Sequence, residues 1–115
     1  MLRTLLAASL MLAPAGAHAA ERKLGGAEIQ TLLADHSFTG SDSGHQSEQI
    51  FRASGSTVYS VDNNPSQGFW KVMGDQYCSQ WPPHDAWSCY DVTVDGDTVT
   101  FISGTGNRYP VMREN

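Results

Sequence analysis

The chain has 115 residues, 40% hydrophobic and 17% charged, with seven Lys or Arg against twelve Asp or Glu and a formal net charge of −5. That length admits one domain. An acidic balance without a basic run argues against nucleic acid or anionic lipid as the partner.

The first residues follow an export pattern: Arg3, an apolar run over residues 5–13, then Ala17-His18-Ala19 as a small-residue cleavage site. The run ends at Pro14, short of the roughly 20 residues that a bilayer-spanning helix needs. We therefore read residues 1–19 as a signal peptide and residues 20–115 as one mature domain, periplasmic or secreted, with no membrane span after cleavage. Loss of Arg3 leaves six basic against twelve acidic side chains.

Residues 21–23 form a charged leader, expected to be loose. Ile29, Leu32 and Leu33 share one helical face and Glu28 lies in the first turn, which predicts a short helix over about 26–35. A strand at Ser37-Phe38-Thr39 precedes a Ser-, Gly- and Asp-rich stretch read as a loop through Gln46. Residues 49–53 and 57–61 read as a hairpin around Ser54-Gly55-Ser56, and residues 62–66 as a polar turn. Strands follow at 69–72 and 77–81, joined around Gly74-Asp75. Pro82-Pro83-His84-Asp85 is a loop, since two prolines remove two backbone donors.

The clearest pattern is late in the chain. Tyr90, Val92 and Val94 alternate with Asp91, Thr93 and Asp95, and Val99 and Phe101 alternate with Thr98 and Thr100, around a turn placed at Asp95-Gly96. The apolar set points inward, which puts Cys89 on the outer face. Tyr77 and Trp81 likewise share one face, with Cys78 on the other. Two cysteines in an exported domain read as a disulfide, Cys78–Cys89, clasping neighbouring strands from outside the core. Closing so short a loop contributes about 2.5 to 3 kcal/mol in the chain-entropy model. The whole predicts a mainly β domain: an antiparallel barrel or sandwich of seven to eight strands, with the helix over an open end or edge.

Catalytic chemistry finds little support. Gly40-Ser41-Asp42-Ser43-Gly44 has Asp42 where a nucleophile elbow needs Ser. A couple of Cys78 or Cys89 with His84 needs a free thiolate, which paired cysteines do not supply. The same three residues make an incomplete zinc set. Asp91, Thr93, Asp95 and Gly96 match the opening of a calcium loop whose twelfth position is Ile102 instead of Glu. Gly104-Thr105-Gly106 has neither the third glycine nor the helix of a dinucleotide fingerprint. No catalytic residue, metal ligand or cofactor is nominated. Trp70, Tyr77 and Tyr90 suit a core. Trp81 and Trp87 flank the Pro-Pro-His-Asp loop, so Trp81, His84 and Trp87 are the candidate binding residues, for an unknown small molecule, glycan or envelope protein.

Two resemblances accompany this reading. Gly68-Phe69-Trp70-Lys71-Val72, the stretch from Gly74 to Trp81, Cys89-Tyr90-Asp91-Val92 and Asp95-Gly96-Asp97 together resemble a family of short exported bacterial proteins of unknown function. That likeness implies a periplasmic or secreted β-rich domain with this disulfide, and no activity. The segment from Ala53 to Tyr59, followed by Phe69-Trp70-Lys71, is similar to the Ser-Gly-x-x-Tyr loop and Trp-Thr-Lys strand of periplasmic C-type lysozyme inhibitors. Here the Tyr is one residue later and no Thr separates Trp70 from Lys71. This second likeness implies an inhibitory loop built on Ser54, Gly55 and Tyr59. The expectation is a non-enzymatic exported binding or interaction domain, with an inhibitor of a lysozyme-like cell-wall hydrolase as the alternative.

Overall fold

The computed structural model describes residues 20–115. The signal-peptide reading lies outside the described residues. In chain order the elements are β1 (Arg22–Lys23), α1 (Gly26–Leu33), β2 (His36–Asp42), β3 (His45–Phe51), β4 (Ser56–Val61), β5 (Asn64–Met73), β6 (Gln76–Gln80), β7 (Trp87–Asp95), β8 (Thr98–Ser103) and β9 (Arg108–Arg113).

Each strand from β2 to β9 pairs antiparallel with the next, and β9 returns to β2 through Phe38↔Arg113 and Thr39↔Met112. The fold is therefore a closed eight-stranded barrel, not a sandwich, with β1 as an extra strand. Closure leaves no long free edge. Period-two alternation sends Phe38, Phe51, Trp70, Tyr77, Val92, Val99 and Phe101 into the core, where all are buried. Phe51 is the hub. Its ring meets Phe38, Trp70, Tyr77 and Phe101 edge-on at centroid distances of 5.4–6.2 Å, an arrangement aromatic quadrupoles favour.

Helix α1 closes one end of the barrel, its Ile29 and Leu33 wholly buried beside Leu24. A helix this short cannot hold alone, so its ends are tied. Glu28 accepts from the Gly25 N–H at 3.1 Å, and Asp75, from the β5–β6 turn, accepts from the Gly26 N–H at 2.8 Å. A Cβ at Gly26 would stand 2.3 Å from the Gly74 carbonyl oxygen, so glycine permits this approach. The helix stops two residues before the expected end. Asp35 instead takes φ +63 and turns the chain into β2, its N–H donating to the Phe51 carbonyl.

Four details correct the sequence reading. The leader is not loose: β7 is longer than β6, and β1 fills the edge left over, with Arg22↔Val94 and Lys23↔Thr93. The stretch from Gly40 to Gln46 is not a loop; β2 and β3 pair through Asp42↔His45 around a two-residue turn, Ser43-Gly44, both at positive φ. Small polar residues there serve an exposed hairpin tip. The turn of 62–66 shrinks to Asp62-Asn63, and Pro65 lies within β5 opposite Ser60. The last hairpin turns at Gly96-Asp97, with Asp95 paired to Thr98. That shift moves each strand by one, so the predicted faces stand.

Cys78 and Cys89 lie directly opposite each other on β6 and β7, bridged, with Cα atoms 4.0 Å apart. Their neighbours Tyr77 and Tyr90 face inward and stack, so the bridge sits on the outer side as expected.

Candidate functional site at the open end of the barrel

Among the described residues, nothing plugs the end opposite α1. Here the inner faces of the strands enclose a cavity of about 360 Å3, bordered by residues of every strand from β2 to β9 except β5 and by Trp81. The deep wall is Phe38, Tyr77 and Phe101. Nearer solvent stand Tyr59, Trp81, Tyr90 and Tyr109, in two groups: Tyr59 leans on Trp81 at 6.1 Å, while Tyr90 stacks on Tyr77 at 5.4 Å and meets Tyr109 edge-on at 6.3 Å.

Strand β5 contributes bare backbone. A Cβ at Gly68 would lie 2.6 Å from Trp81 Cε3, so the indole covers a glycine in the barrel wall. Its N–H donates to Ser79 Oγ at 3.1 Å, which fixes the ring over the strand.

Polar groups at the wall are networked. Thr57, fully buried, donates its hydroxyl to the Ile50 carbonyl at 2.7 Å. Gln49 Nε2 donates to Thr57 Oγ1 at 3.1 Å and to the Tyr77 hydroxyl at 3.0 Å. Burial pushes the Tyr77 phenol up to about 12, so it stays protonated at neutral pH. Tyr90 is pushed upward too, first by burial and then by the neighbouring Tyr109 and Tyr59. Arg108 borders the lip, but alternation along β9 turns Tyr109 and Val111 in and Arg108 out, and its guanidinium pairs with Glu21. Thr93 and Arg108 hold the Glu21 carboxyl below its usual range. At the rim, His45 Nδ1 lies 2.6 Å from Asp62 Oδ2, tying the β2–β3 tip to the β4–β5 tip.

The structure parts the residues nominated from sequence. Trp81 faces the cavity. Trp87 lies on the outer wall, where Lys71 Nζ sits 4.1 Å from its ring centroid. His84 is exposed in the connecting loop, its N–H donating to the Trp81 carbonyl. Ser54 and Gly55 form the β3–β4 turn at the closed end, whereas Tyr59 stands in the open mouth, so these three do not share one projecting loop. Gln49, Ser79 and Tyr109 were not singled out from sequence. The period-two parity of Phe51 and Tyr77 marks Gln49 and Ser79 as inward, and Tyr109 lies in a strand that Pro110 disguised. Among the described residues, no group of three or more His, Cys, Asp or Glu side chains is placed to hold a metal ion, and no helix is long and apolar enough to cross a membrane.

Fold and site together define a small disulfide-clasped antiparallel barrel with one end plugged and the other an aromatic cup. Comparison with known proteins finds no matching family model, no similar curated protein and no similar solved structure.

Proposed function

We propose that the protein is an exported, non-enzymatic binding domain that takes a small ring-bearing molecule into the open end of its barrel. The carrying observation is the cavity of about 360 Å3 walled by Tyr59, Trp81, Tyr90 and Tyr109. Small-molecule sites are concave, largely apolar and of several hundred Å3, with a few fixed polar groups, and this one has that character. Its border, among the described residues, contains no His, Cys, Asp or Glu, the side chains that most often serve acid–base or thiol chemistry, and this supports a binding role. The Cys78–Cys89 bridge is consistent with an oxidising compartment and so supports export.

The test is titration with naphthalene-based neutral compounds, read by tryptophan emission and calorimetry. Trp81→Ala removes one wall and is expected to weaken binding by about tenfold or more, the effect of losing one aromatic anchor. Unchanged affinity in Trp81→Ala, or no binding of any ring compound by the wild type, would overturn the reading. Mass analysis of the processed protein is expected to give an N-terminus at Ala20 and no free thiol.

A further inference from the structure

Resting on that reading, we propose that Gln49 sets the specificity of the cavity: it selects an uncharged ring compound carrying a hydrogen-bond donor, a hydroxyl or N–H, which its amide oxygen accepts. The neighbours of Gln49 fix its orientation. A threonine hydroxyl has one proton, and Thr57 gives it to the Ile50 carbonyl, so Thr57 Oγ1 meets Gln49 only with lone pairs. The atom facing it must therefore be the amide nitrogen. Its second N–H is spent on the Tyr77 hydroxyl. Both donors are used inside the wall, and Oε1, at the other corner of the planar amide, accepts no hydrogen bond from the described residues. A cavity-lining amide is thus held with a bare acceptor and no rotation open to it, because a flip would set oxygen against the Thr57 lone pairs.

Charge is excluded on separate grounds. Among the described residues bordering the cavity, Arg108 is the one that carries a charge at neutral pH, and its guanidinium is turned outward onto Glu21. An ionised group entering would lose water and find no opposite charge. The rings of the deeper wall offer a cation less than free ones: Tyr77 and Tyr90 stack on each other at an interplanar angle of 19°, and Trp81 lies against Gly68. What remains is ring surface, the hydroxyls of Ser41, Ser47 and Ser79, and the fixed amide acceptor of Gln49. A donor that reaches it is matched, and a ligand without one leaves Oε1 desolvated and unpaired.

Four probes on one ring separate these terms: 1-naphthylmethanol, its methyl ether, 1-naphthoate and 1-naphthylmethylammonium. The wild type is expected to bind the alcohol about tenfold tighter than the ether, which has lost the donor, and tighter than either ion. Gln49→Met keeps length and removes the acceptor; it is expected to weaken the alcohol to the level of the ether and leave the ether unchanged. That convergence is a change of ratio, which a merely loosened fold does not produce. Should Gln49→Met fail to fold, the alcohol-to-ether ratio in the wild type decides alone. Equal binding of alcohol and ether overturns the role of Gln49, and tighter binding of either ion overturns the exclusion of charge. Failure of all four to bind overturns the underlying reading of the cavity instead.

Discussion

Tyr77 is buried in the wall, and it brings an ionisable phenol into the core. Its phenol is held at about 12 against 10.0 in an ordinary setting, with burial as the main cause. An acid whose folded-state value is raised contributes stability in full below the unfolded value and loses it as pH climbs through the folded one. The stabilisation is therefore complete below pH 10 and falls away between about pH 10 and about pH 12. The unfolding free energy from urea titration is expected to drop by roughly 1–2 kcal/mol between about pH 9 and about pH 11 in the wild type. Tyr77→Phe removes that part of the alkaline loss, while costing about 1 kcal/mol at neutral pH, since Gln49 Nε2 loses an acceptor. A wild-type alkaline slope matched by Tyr77→Phe would contradict this account. That Tyr77 is a core residue is legible from its composition and parity; the same parity puts Gln49 and Ser79 on its face, but polar side chains are ordinarily assigned to the outside. Trp81 was placed on the inner face of its strand and still read with Trp87 as a loop grip. Only the indole lying on Gly68 joins it to the cup.

Among the elements, β6 is the shortest wall strand after which the chain must cross a proline-containing loop before β7 returns, and the bridge clasps that pair. Cys78→Ala with Cys89→Ala removes an eleven-residue separation from the constrained unfolded chain, and is expected to cost about 3 kcal/mol, measured by thermal or denaturant unfolding. The inner stack of Tyr77 on Tyr90 lies one rung from the bridge, so near-ultraviolet tyrosine dichroism should weaken in the same variant. The hairpin β7–β8 and the outward cysteines were legible because strict alternation leaves only one face for each residue. Helix α1 was legible as an apolar stripe. Its place over an open end or edge is likewise legible, but its dock is not, since nothing in the stripe names Asp75 or Gly74. Strand β9 escaped notice because Pro110 lacks an N–H and demotes any strand that contains it. The tip Ser43-Gly44 was hidden by residues equally at home in a loop.

The whole molecule is a ring with one weak joint. Seven neighbouring pairs hold four to seven rungs each, whereas β2 and β9 share just Phe38↔Arg113 and Thr39↔Met112. Pairing stops two residues short of Pro110, and a shallow outer depression at Ser41, Pro110 and Val111 meets the cavity there from the other side. Amide exchange is expected to be fastest among β-strand residues at this joint, in Gly40, Ser41 and Val111, and slow in Val92 and Phe101. Uniform protection around the ring would contradict the assignment of the joint. Because β9 follows every other strand of the ring in sequence, the ring stays open until Arg108–Arg113 has been made. Until that moment β2 and β8 each offer an unpaired edge to any other nascent copy. A message cut short before Arg108 would thus yield a sheet with two permanent sticky margins, and quality control must meet it as an aggregation hazard instead of a smaller barrel.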